Sequence, residues 1–318
     1  MMKWMIDVKY PKPQRSINYK DAILLSGSCF AEQMGHKLIS HRFNVNVNTH
    51  GILYNPVSLA ESMLDVIQNK IYVTDELTGV KDLWFSWKHH GKFADTKPEG
   101  ALVMMNHAIA AGHQTLATAS HVVFTWGSAW VYQLKSSGQV VANCHKMPSD
   151  LFVKRLLSVD EIVHSYNTLL QHPILKDKQV VFSVSPVRYL RDGLVENNLS
   201  KAILLQAAHN LCKMHGHAFY FPAYEMIIDV LRDYRFYERD MLHPNVIAID
   251  FVWEQFCEAC MDSSTQQFVQ EMNELNLMMA HTLLHPNTTE ASVFLAHRAS
   301  KIYQLKNRYP EINFGEGS

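Results

Sequence analysis

The chain has 318 residues, 47% of them hydrophobic, which is enough to bury a large core in one big domain or two modest ones. Its 29 Lys and Arg residues nearly balance 30 Asp and Glu residues, so no overall charge favours nucleic acid or an anionic membrane as a partner. No signal-like apolar core develops near the start and no later apolar run is long enough to cross a bilayer, so the sequence predicts a cytoplasmic protein without a membrane partner.

The first fifty residues predict the start of an α/β unit. Residues 22–25 form a short apolar run, Gly27 marks a turn, and residues 30–38 have helical spacing. Residues 43–48 alternate apolar and polar side chains like a second strand. A helix over residues 58–68 follows the turn residues Asn-Pro.

The middle of the chain continues the alternation after an irregular aromatic segment. Residues 70–100 predict an elaborated loop or a small hairpin, and residues 99–119 predict a helix. The apolar run 121–127 is typical of a buried strand. Residues 130–134 and 139–142 could pair as a hairpin across the turn between them.

The last third predicts two more strands and then helices only. Residues 158–171 and about 200–214 predict helices, and residues 179–186 and 218–221 predict strands. Beyond residue 245 the chain has helical spacing to about residue 309. We therefore expect one α/β domain over residues 1–318, with a mostly parallel sheet covered by helices, a core at about 20–250 and a helical C-terminal extension at about 246–310.

Asp240 and His243 are the most informative candidates for chemistry. A carboxylate three residues before a histidine can hold one imidazole nitrogen and fix the tautomer whose other nitrogen accepts a proton from a nucleophile. Such a pair on its own is more often structural. The hypothesis therefore depends on a nucleophile from elsewhere in the chain.

The turn after the first strand supplies two candidates, Ser28 and Cys29. A thiol or hydroxyl at a helix N-terminus benefits from the positive end of the helix dipole, and the backbone amides there can serve as oxyanion donors. The alternative interpretation is a helix cap beside a buried cysteine. Because reactive groups of parallel sheets gather at the carboxyl ends of strands, we expect this turn and the Asp240–His243 loop to converge.

Seven separated segments resemble the GSCFA family, an uncharacterised bacterial family related to the SGNH/GDSL hydrolases. The matching segments are 25–31 (LSGSCFA), 54–56 (YNP), 143–146 (NCHK), 184–188 (VSPVR), 191–193 (RDG), 232–237 (RDYRFY) and 240–244 (DMLHP). The resemblance implies a flavodoxin-like, three-layer α/β/α hydrolase of the SGNH type. It also implies that the first turn carries the nucleophile, that His243 is the general base and that Asp240 orients it.

Superposition on the GDS turn of that superfamily puts Cys29 at the position of the nucleophile and Ser28 at the position of the aspartate. A thiolate in place of a hydroxyl changes the preferred substrates and the sensitivity to oxidation. Ser28 stays the alternative nucleophile if the turn is shifted by one residue.

The oxyanion hole of the superfamily uses a glycine and the asparagine of a GxND block. Gly51 matches the glycine, whereas Ala129 occupies the position of the asparagine. Asn143 could restore a carboxamide donor from another direction. Without such a donor, ordinary catalysis is in doubt.

Three further polar residues are candidates for substrate binding. His145 and Lys146 could line a pocket or bind an anionic group, although a polar strand end facing water is an equal alternative. Arg188 could bind a substrate carboxylate or phosphate, or form a structural ion pair with Asp192 or Glu196.

The remaining reactive side chains point to neither metal nor disulfide chemistry. The five cysteines are an odd number and fit reduced thiols, and the Cys257–Cys260 spacing falls in an amphipathic helix and predicts core packing. None of the 18 histidines forms an HExxH motif, so no metal and no cofactor are expected.

The sequence therefore predicts an enzyme that hydrolyses an acyl ester or thioester, with a carbohydrate or other small metabolite as the substrate and a covalent acyl-enzyme as the intermediate. An O-acyltransferase is a close variant, because the same intermediate can pass to a sugar hydroxyl. The rival hypothesis is a non-catalytic protein on the same fold that binds a glycan or nucleotide-sugar. The sequence predicts neither the acyl group nor the oligomeric state.

Overall fold

The computed structural model describes residue 6, residues 11–312 and residue 314. Ten strands are present in these residues: β1 (Ala22–Gly27), β2 (Asn44–Val47), β3 (Thr78–Val80), β4 (Leu83–Phe85), β5 (Ala119–Trp126), β6 (Trp130–Leu134), β7 (Val140–Val141), β8 (Phe152–Leu156), β9 (Gln179–Val184) and β10 (Ala218–Tyr220). The α-helices are α1 (Cys29–Ser40), α2 (Pro56–Ile67), α3 (Pro98–Thr118), α4 (Val159–Leu170), α5 (Pro173–Lys176), α6 (Leu194–Met214), α7 (Ala223–Glu225), α8 (Val246–Cys260), α9 (Ser263–Ala280) and α10 (Thr289–Arg308).

The central sheet has five parallel strands in the order β10-β9-β5-β1-β2. Gly27 pairs with Thr125, and Trp126 pairs with Val184, so β1, β5 and β9 end at the same edge. Strands β1, β5 and β9 are buried along their whole length. This explains why they read as nearly continuous apolar runs.

Helices cover both faces of the sheet. On one face, Ile23, Leu25 and Val123 belong to a core that also contains apolar side chains of α1, α8 and α9. On the other face, Leu24 and Phe124 belong to a core with side chains of α2, α3, α4 and α6. Successive residues of β1 thus point into opposite cores, as the two-residue period of a strand requires. The predicted α/β/α architecture with C-terminal helices is confirmed.

A three-stranded antiparallel sheet, β7-β6-β8, stands beside the central sheet. The predicted hairpin is confirmed, since Tyr132 pairs with Val141 and Gln133 with Val140. Strand β8 pairs along the whole of β6 and was not predicted. A second small hairpin, β3-β4, lies within the irregular segment 70–100.

Helix α6 begins earlier than predicted, at Leu194. Gly193 precedes it with a φ of 96°, a conformation that glycine adopts without steric cost. The Asn197 carboxamide accepts a hydrogen bond from the backbone N–H of Tyr189 (2.9 Å), so this polar first turn holds the preceding loop.

None of the helices in the described ranges combines the length and apolarity that crossing a bilayer requires.

Candidate functional site

A cavity of about 580 Å³ opens at the carboxyl edge of the central sheet. Its walls come from the segments that follow β1, β2, β5 and β9, from β6 and the loop after β7, and from the loop before α8. The lining residues are Ser28, Cys29, Tyr54, Asn55, Gly127, Ser128, Trp130, Tyr132, Val141, Ala142, Asn143, Cys144, Ser185, Val187, Arg188, Tyr189, Leu190, Arg191, Leu242 and His243.

Close packing fixes the turn that carries the two candidate nucleophiles. A Cβ atom on Gly27 would lie 2.3 Å from the carbonyl oxygen of Thr125, so the position requires glycine. The Gly27 N–H donates to the side-chain oxygen of Asn48 (2.8 Å), and the Ser28 N–H donates to the Thr125 oxygen (3.1 Å). Helix α1 begins at Cys29, which places the thiol at the positive end of the helix.

Ser28 and Cys29 both line the cavity but differ in exposure. Ser28 is 1% exposed and its hydroxyl has no hydrogen-bond partner among the residues that the structure describes, whereas Cys29 is partly exposed. Burial raises the pKa of the Cys29 thiol, while the backbone N–H groups of Phe30 and Cys29 and the charge of Lys201 act in the opposite direction. The thiol is therefore the more accessible of the two groups.

Asp240 and His243 form a hydrogen-bonded pair. One carboxylate oxygen accepts from the His243 Nδ1 (2.6 Å), and the other accepts from the backbone N–H groups of Leu242 (2.8 Å) and His243 (3.0 Å). The bonds from these two N–H groups, followed by the bond from the ring, lower the pKa of Asp240 to about 2. With Nδ1–H directed at the carboxylate, Nε2 is left as the acceptor.

The His243 side of this pair lines the same cavities as Cys29. Cys29 and His243 both line the large cavity, and both line an adjoining cavity of about 300 Å³. The two side chains are about half exposed, at 46% for His243 and 45% for Asp240. The structure thus brings together the two distant segments that the sequence analysis singled out.

The two predicted oxyanion residues have different surroundings. The Gly51 N–H already donates to the carbonyl oxygen of Asn48 (2.7 Å), and Gly51 does not line the cavity. Asn143 does line it, with its carbonyl oxygen accepting from the His145 N–H (2.8 Å). Asn143 therefore has its amide group left to donate.

Two of the three predicted binding residues do not line the cavity. The His145 ring stacks on Phe85 with centroids 4.0 Å apart, its Nε2 contacts the carbonyl oxygen of Ser86 (3.0 Å), and burial lowers its pKa to about 4. Lys146 is exposed and lies outside the lining. Both lie in the loop that follows β7, where the contacts of His145 hold the loop against β4 and Ser86.

Arg188 lies in the cavity wall and is held in place by aromatic rings. Its guanidinium stands 4.1 Å from the Tyr237 ring centroid and donates to the carbonyl oxygen of Met241 (3.1 Å). No carboxylate in the described ranges forms an ion pair with it, and Asp192 pairs with Lys154 instead. The structural ion pair that was one alternative for Arg188 is wrong.

Residues 22–256, most of the chain, match the sequence profile of the GSCFA family. The chain belongs to the GSCFA family. No curated protein and no solved structure matches it.

The structure of this GSCFA protein adds Asn55 to the site. Asn55 is buried, lines the cavity and caps α2, with its oxygen accepting from the Ser58 N–H (2.8 Å) and its amide donating to the Ser58 hydroxyl (3.0 Å). The segment before it runs beside the nucleophile turn, since the Leu53 N–H donates to the Gly27 oxygen (3.1 Å). In the sequence, Asn55-Pro56 indicates a turn and belongs to the YNP segment of the resemblance, but neither observation predicts a role for Asn55 in the site.

Lys201 is the second residue that sequence reasoning missed. Its ammonium group donates to the carbonyl oxygens of Gly127 and Ser185, both at 2.7 Å, and the residue is 2% exposed. Its position, three residues before Leu204 and seven before Ala208, places a lysine on the apolar stripe of α6. That irregularity is the signal in the sequence that could have identified it.

Proposed function

We propose that this GSCFA protein hydrolyses an acyl ester or thioester through an acyl-enzyme on Cys29, in the manner of the SGNH hydrolases. The observation that carries the proposal is that His243, hydrogen-bonded to Asp240, lines the same cavity as a thiol at a helix N-terminus. These are the three parts that nucleophilic catalysis requires: a nucleophile, a base and a group that orients the base.

In the first half-reaction the Cys29 sulfur attacks the carbonyl carbon of the substrate. His243 Nε2 takes the thiol proton, and Asp240 stabilises the imidazolium that forms. The tetrahedral intermediate collapses by breaking the bond from the acyl carbon to the leaving oxygen or sulfur. The imidazolium returns the proton to that leaving group, which departs as an alcohol or thiol.

In the second half-reaction water attacks the thioester on Cys29. His243 takes a proton from the water, the carbon–sulfur bond breaks, and the proton passes to the departing sulfur. The products are a carboxylic acid and the original thiol. If a sugar hydroxyl replaced water as the acceptor, the same steps would make the protein an O-acyltransferase.

Asn55 and the N-terminus of α1 support the oxyanion. The segment of Asn55 is hydrogen-bonded to the nucleophile turn through Leu53, and Tyr54 accepts from the N–H groups of Gly127 and Ser128 (2.8 and 3.0 Å). These bonds tie the segment of Asn55 to the ends of β1 and β5. We assign the oxyanion contacts to the Asn55 amide and the Cys29 N–H, with Asn143 on the opposite wall as the substrate contact.

The lining favours a substrate with an apolar or sugar-like part and a negative charge. Trp130 and Tyr132 present aromatic rings to the cavity, while Arg188 and Arg191 line it and form no ion pair with a carboxylate in the described ranges. The lining contains no Asp or Glu at all. An arginine in such a wall that pairs with no carboxylate in the described ranges suits a carboxylate or phosphate of the substrate.

The test is a panel of p-nitrophenyl esters and acyl thioesters, including acetylated sugars with and without a phosphate. We expect turnover by the unmodified protein and by Ser28→Ala, and its loss in Cys29→Ala and His243→Ala. Cys144→Ala is the matched control, because Cys144 is a second thiol in the same cavity.

Peptide mapping after reaction with an acyl ester identifies the nucleophile. Acylation of Cys29 that disappears in His243→Ala supports the hydrolase. If Cys29 is labelled equally in the wild type and in His243→Ala, and glycans bind without turnover, the hydrolase proposal is refuted and a binding protein is favoured.

A further inference from the structure

Lys201 carries a buried amino group without a carboxylate partner in the described part of the chain. Its ammonium contacts the carbonyl oxygens of Gly127 and Ser185, and in the described part of the chain no Asp or Glu lies within ion-pair distance. Burying an ammonium group is costly unless a negative charge compensates it, and two neutral carbonyls only solvate the group. The position therefore calls for an anion.

The two carbonyl contacts place the amino group of Lys201 against the wall of the cavity that Cys29 also lines. Gly127 follows β5 and Ser185 follows β9, and both line the cavity together with Cys29. The charge of a Cys29 thiolate raises the pKa of Lys201, and the charge of Lys201 lowers the pKa of Cys29. Burial opposes the charged form of both groups, lowering the pKa of Lys201 to about 7 and raising that of Cys29. The charge of each group acts against this effect of burial on the other, so each becomes charged more readily when the other is charged.

The other titratable groups near the pair do not take the place of the thiolate. Glu32, in the first turn of α1, opposes the ionisation of Cys29 and forms no ion pair with Lys201. The Tyr224 ring centroid is 6.0 Å from the ammonium, and burial raises the pKa values of Tyr224 and Tyr54, which keeps both phenols neutral. His243 lines two cavities together with Cys29 and is its proton acceptor in the proposed reaction.

We propose that Lys201 is the buried counter-charge of the Cys29 thiolate and thereby selects Cys29 over Ser28 as the nucleophile. The proposal deepens the hydrolase function and rests on it. When His243 removes the thiol proton, the ammonium keeps its own proton and stabilises the sulfur anion. The electron pair then forms the carbon–sulfur bond, and Lys201 acts through Cys29 as a positioning residue.

The experiment measures the alkylation rate of Cys29 by iodoacetamide between about pH 6 and pH 10, since the thiolate is the reacting species. Three variants separate charge from hydrogen bonding. Lys201→Met removes both, Lys201→Gln keeps amide donors for the two carbonyls without the charge, and Lys201→Arg keeps the charge. Peptide mapping follows Cys29 and Cys144 in the same sample, so Cys144 is the internal control.

We expect Cys29 in both neutral variants to react about tenfold more slowly at neutral pH and to reach its full rate only at higher pH. The reactivity of Cys144 should not change, and Lys201→Arg should retain the wild-type profile of Cys29. The proposal is overturned if Lys201→Gln reacts like the wild type, because Lys201 would then only tie the two carbonyls.

An unchanged Cys29 profile in folded Lys201→Met would overturn it equally. If Lys201→Met does not fold, the comparison of Lys201→Gln with Lys201→Arg still shows whether the charge at this position controls the reactivity of Cys29. Because alkylation needs no acyl substrate, this result is independent of whether any ester is hydrolysed.

Discussion

Replacing Asp240 by asparagine should disable the base without disturbing the fold. The asparagine oxygen can keep the two bonds from the Leu242 and His243 N–H groups, so its amide would face His243 Nδ1. An amide donates where the carboxylate accepts. Nδ1 must then become the acceptor, the proton moves to Nε2, and the imidazole can no longer take the thiol proton.

The expected loss follows from the exposure of the pair. General base catalysis contributes about 10²–10⁴-fold, and His243 is 46% exposed, so water can partly maintain the productive tautomer. We therefore expect acylation to slow by about 10²-fold, near the lower end of that range. The measurement is the burst of p-nitrophenol released from an activated ester in a stopped-flow instrument.

Asp233→Asn is the matched control. Asp233 is also exposed, accepts from a backbone N–H two residues on (Arg235, 2.8 Å) and from a cationic side chain, and does not line the cavity. It should leave the burst unchanged. Equal bursts in the Asp240 and Asp233 variants would show that His243 does not depend on its carboxylate, and the reasoning would fail.

Three further predictions concern the neighbouring residues. Asn55→Ala should slow acylation by about 10²–10³-fold, and loss of the α2 cap should destabilise the protein by about 1 kcal/mol. Asn245→Ala removes the equivalent cap of α8 and should lower only the stability measured by chemical denaturation. Gly27→Ala should destabilise by about 1–3 kcal/mol because its Cβ would strike backbone, whereas Gly91→Ala, where nothing lies within 4 Å, should be neutral in the same assay. While Cys29 keeps its thiol proton, burial holds the pKa of Lys201 at about 7, so between about pH 7 and pH 10.5 the unfolded chain carries a proton on Lys201 that the folded protein has released. The free energy of unfolding of the wild type relative to Lys201→Met should therefore rise by about 2 kcal/mol from pH 7 to pH 9, and a pH-independent difference would contradict this.

The central sheet could be predicted because its strands are buried on both faces. Residues 121–127 and 179–186 are mostly apolar, and an apolar run of that length that ends at Gly or Pro is typical of a buried strand. Strand β8 was missed for the opposite reason. It contains Lys154 and Arg155 on a half-exposed sheet, where pairing with β6 rather than burial determines the structure.

The first turn of α6 was missed because its sequence resembles a loop. Glu196, Asn197 and Asn198 are polar, but Asn197 is buried and holds the chain before the helix through Tyr189. A tertiary contact thus decides the boundary. Helix propensity, which depends on local sequence alone, does not predict this contact.

The candidate site divides in the same way into local and non-local parts. The Asp240–His243 bond joins residues three apart, so the spacing predicts it directly. The meeting of His243 with Cys29 follows from the rule that reactive groups gather at the carboxyl edge of a parallel sheet. Gly51 matches the glycine of the superfamily's oxyanion hole by residue type. Its N–H, however, donates to the Asn48 carbonyl oxygen in the same turn, and a comparison of residue types does not reveal this bond.

Lys201 supplies a hydrogen-bond donor to backbone carbonyl oxygens at the end of the sheet, a requirement that local sequence patterns do not predict. Where β5 and β9 end, the carbonyl oxygens of Gly127 and Ser185 leave the sheet ladder and are buried behind the cavity. A single ammonium bonds both, which satisfies two acceptors and brings a charge to the nucleophile at the end of β1. A neutral donor could satisfy the same oxygens. The choice of a cation at this place is therefore explained by the sulfur in front of it, because a thiol ionises under the influence of a nearby charge far more readily than the hydroxyl of Ser28 would.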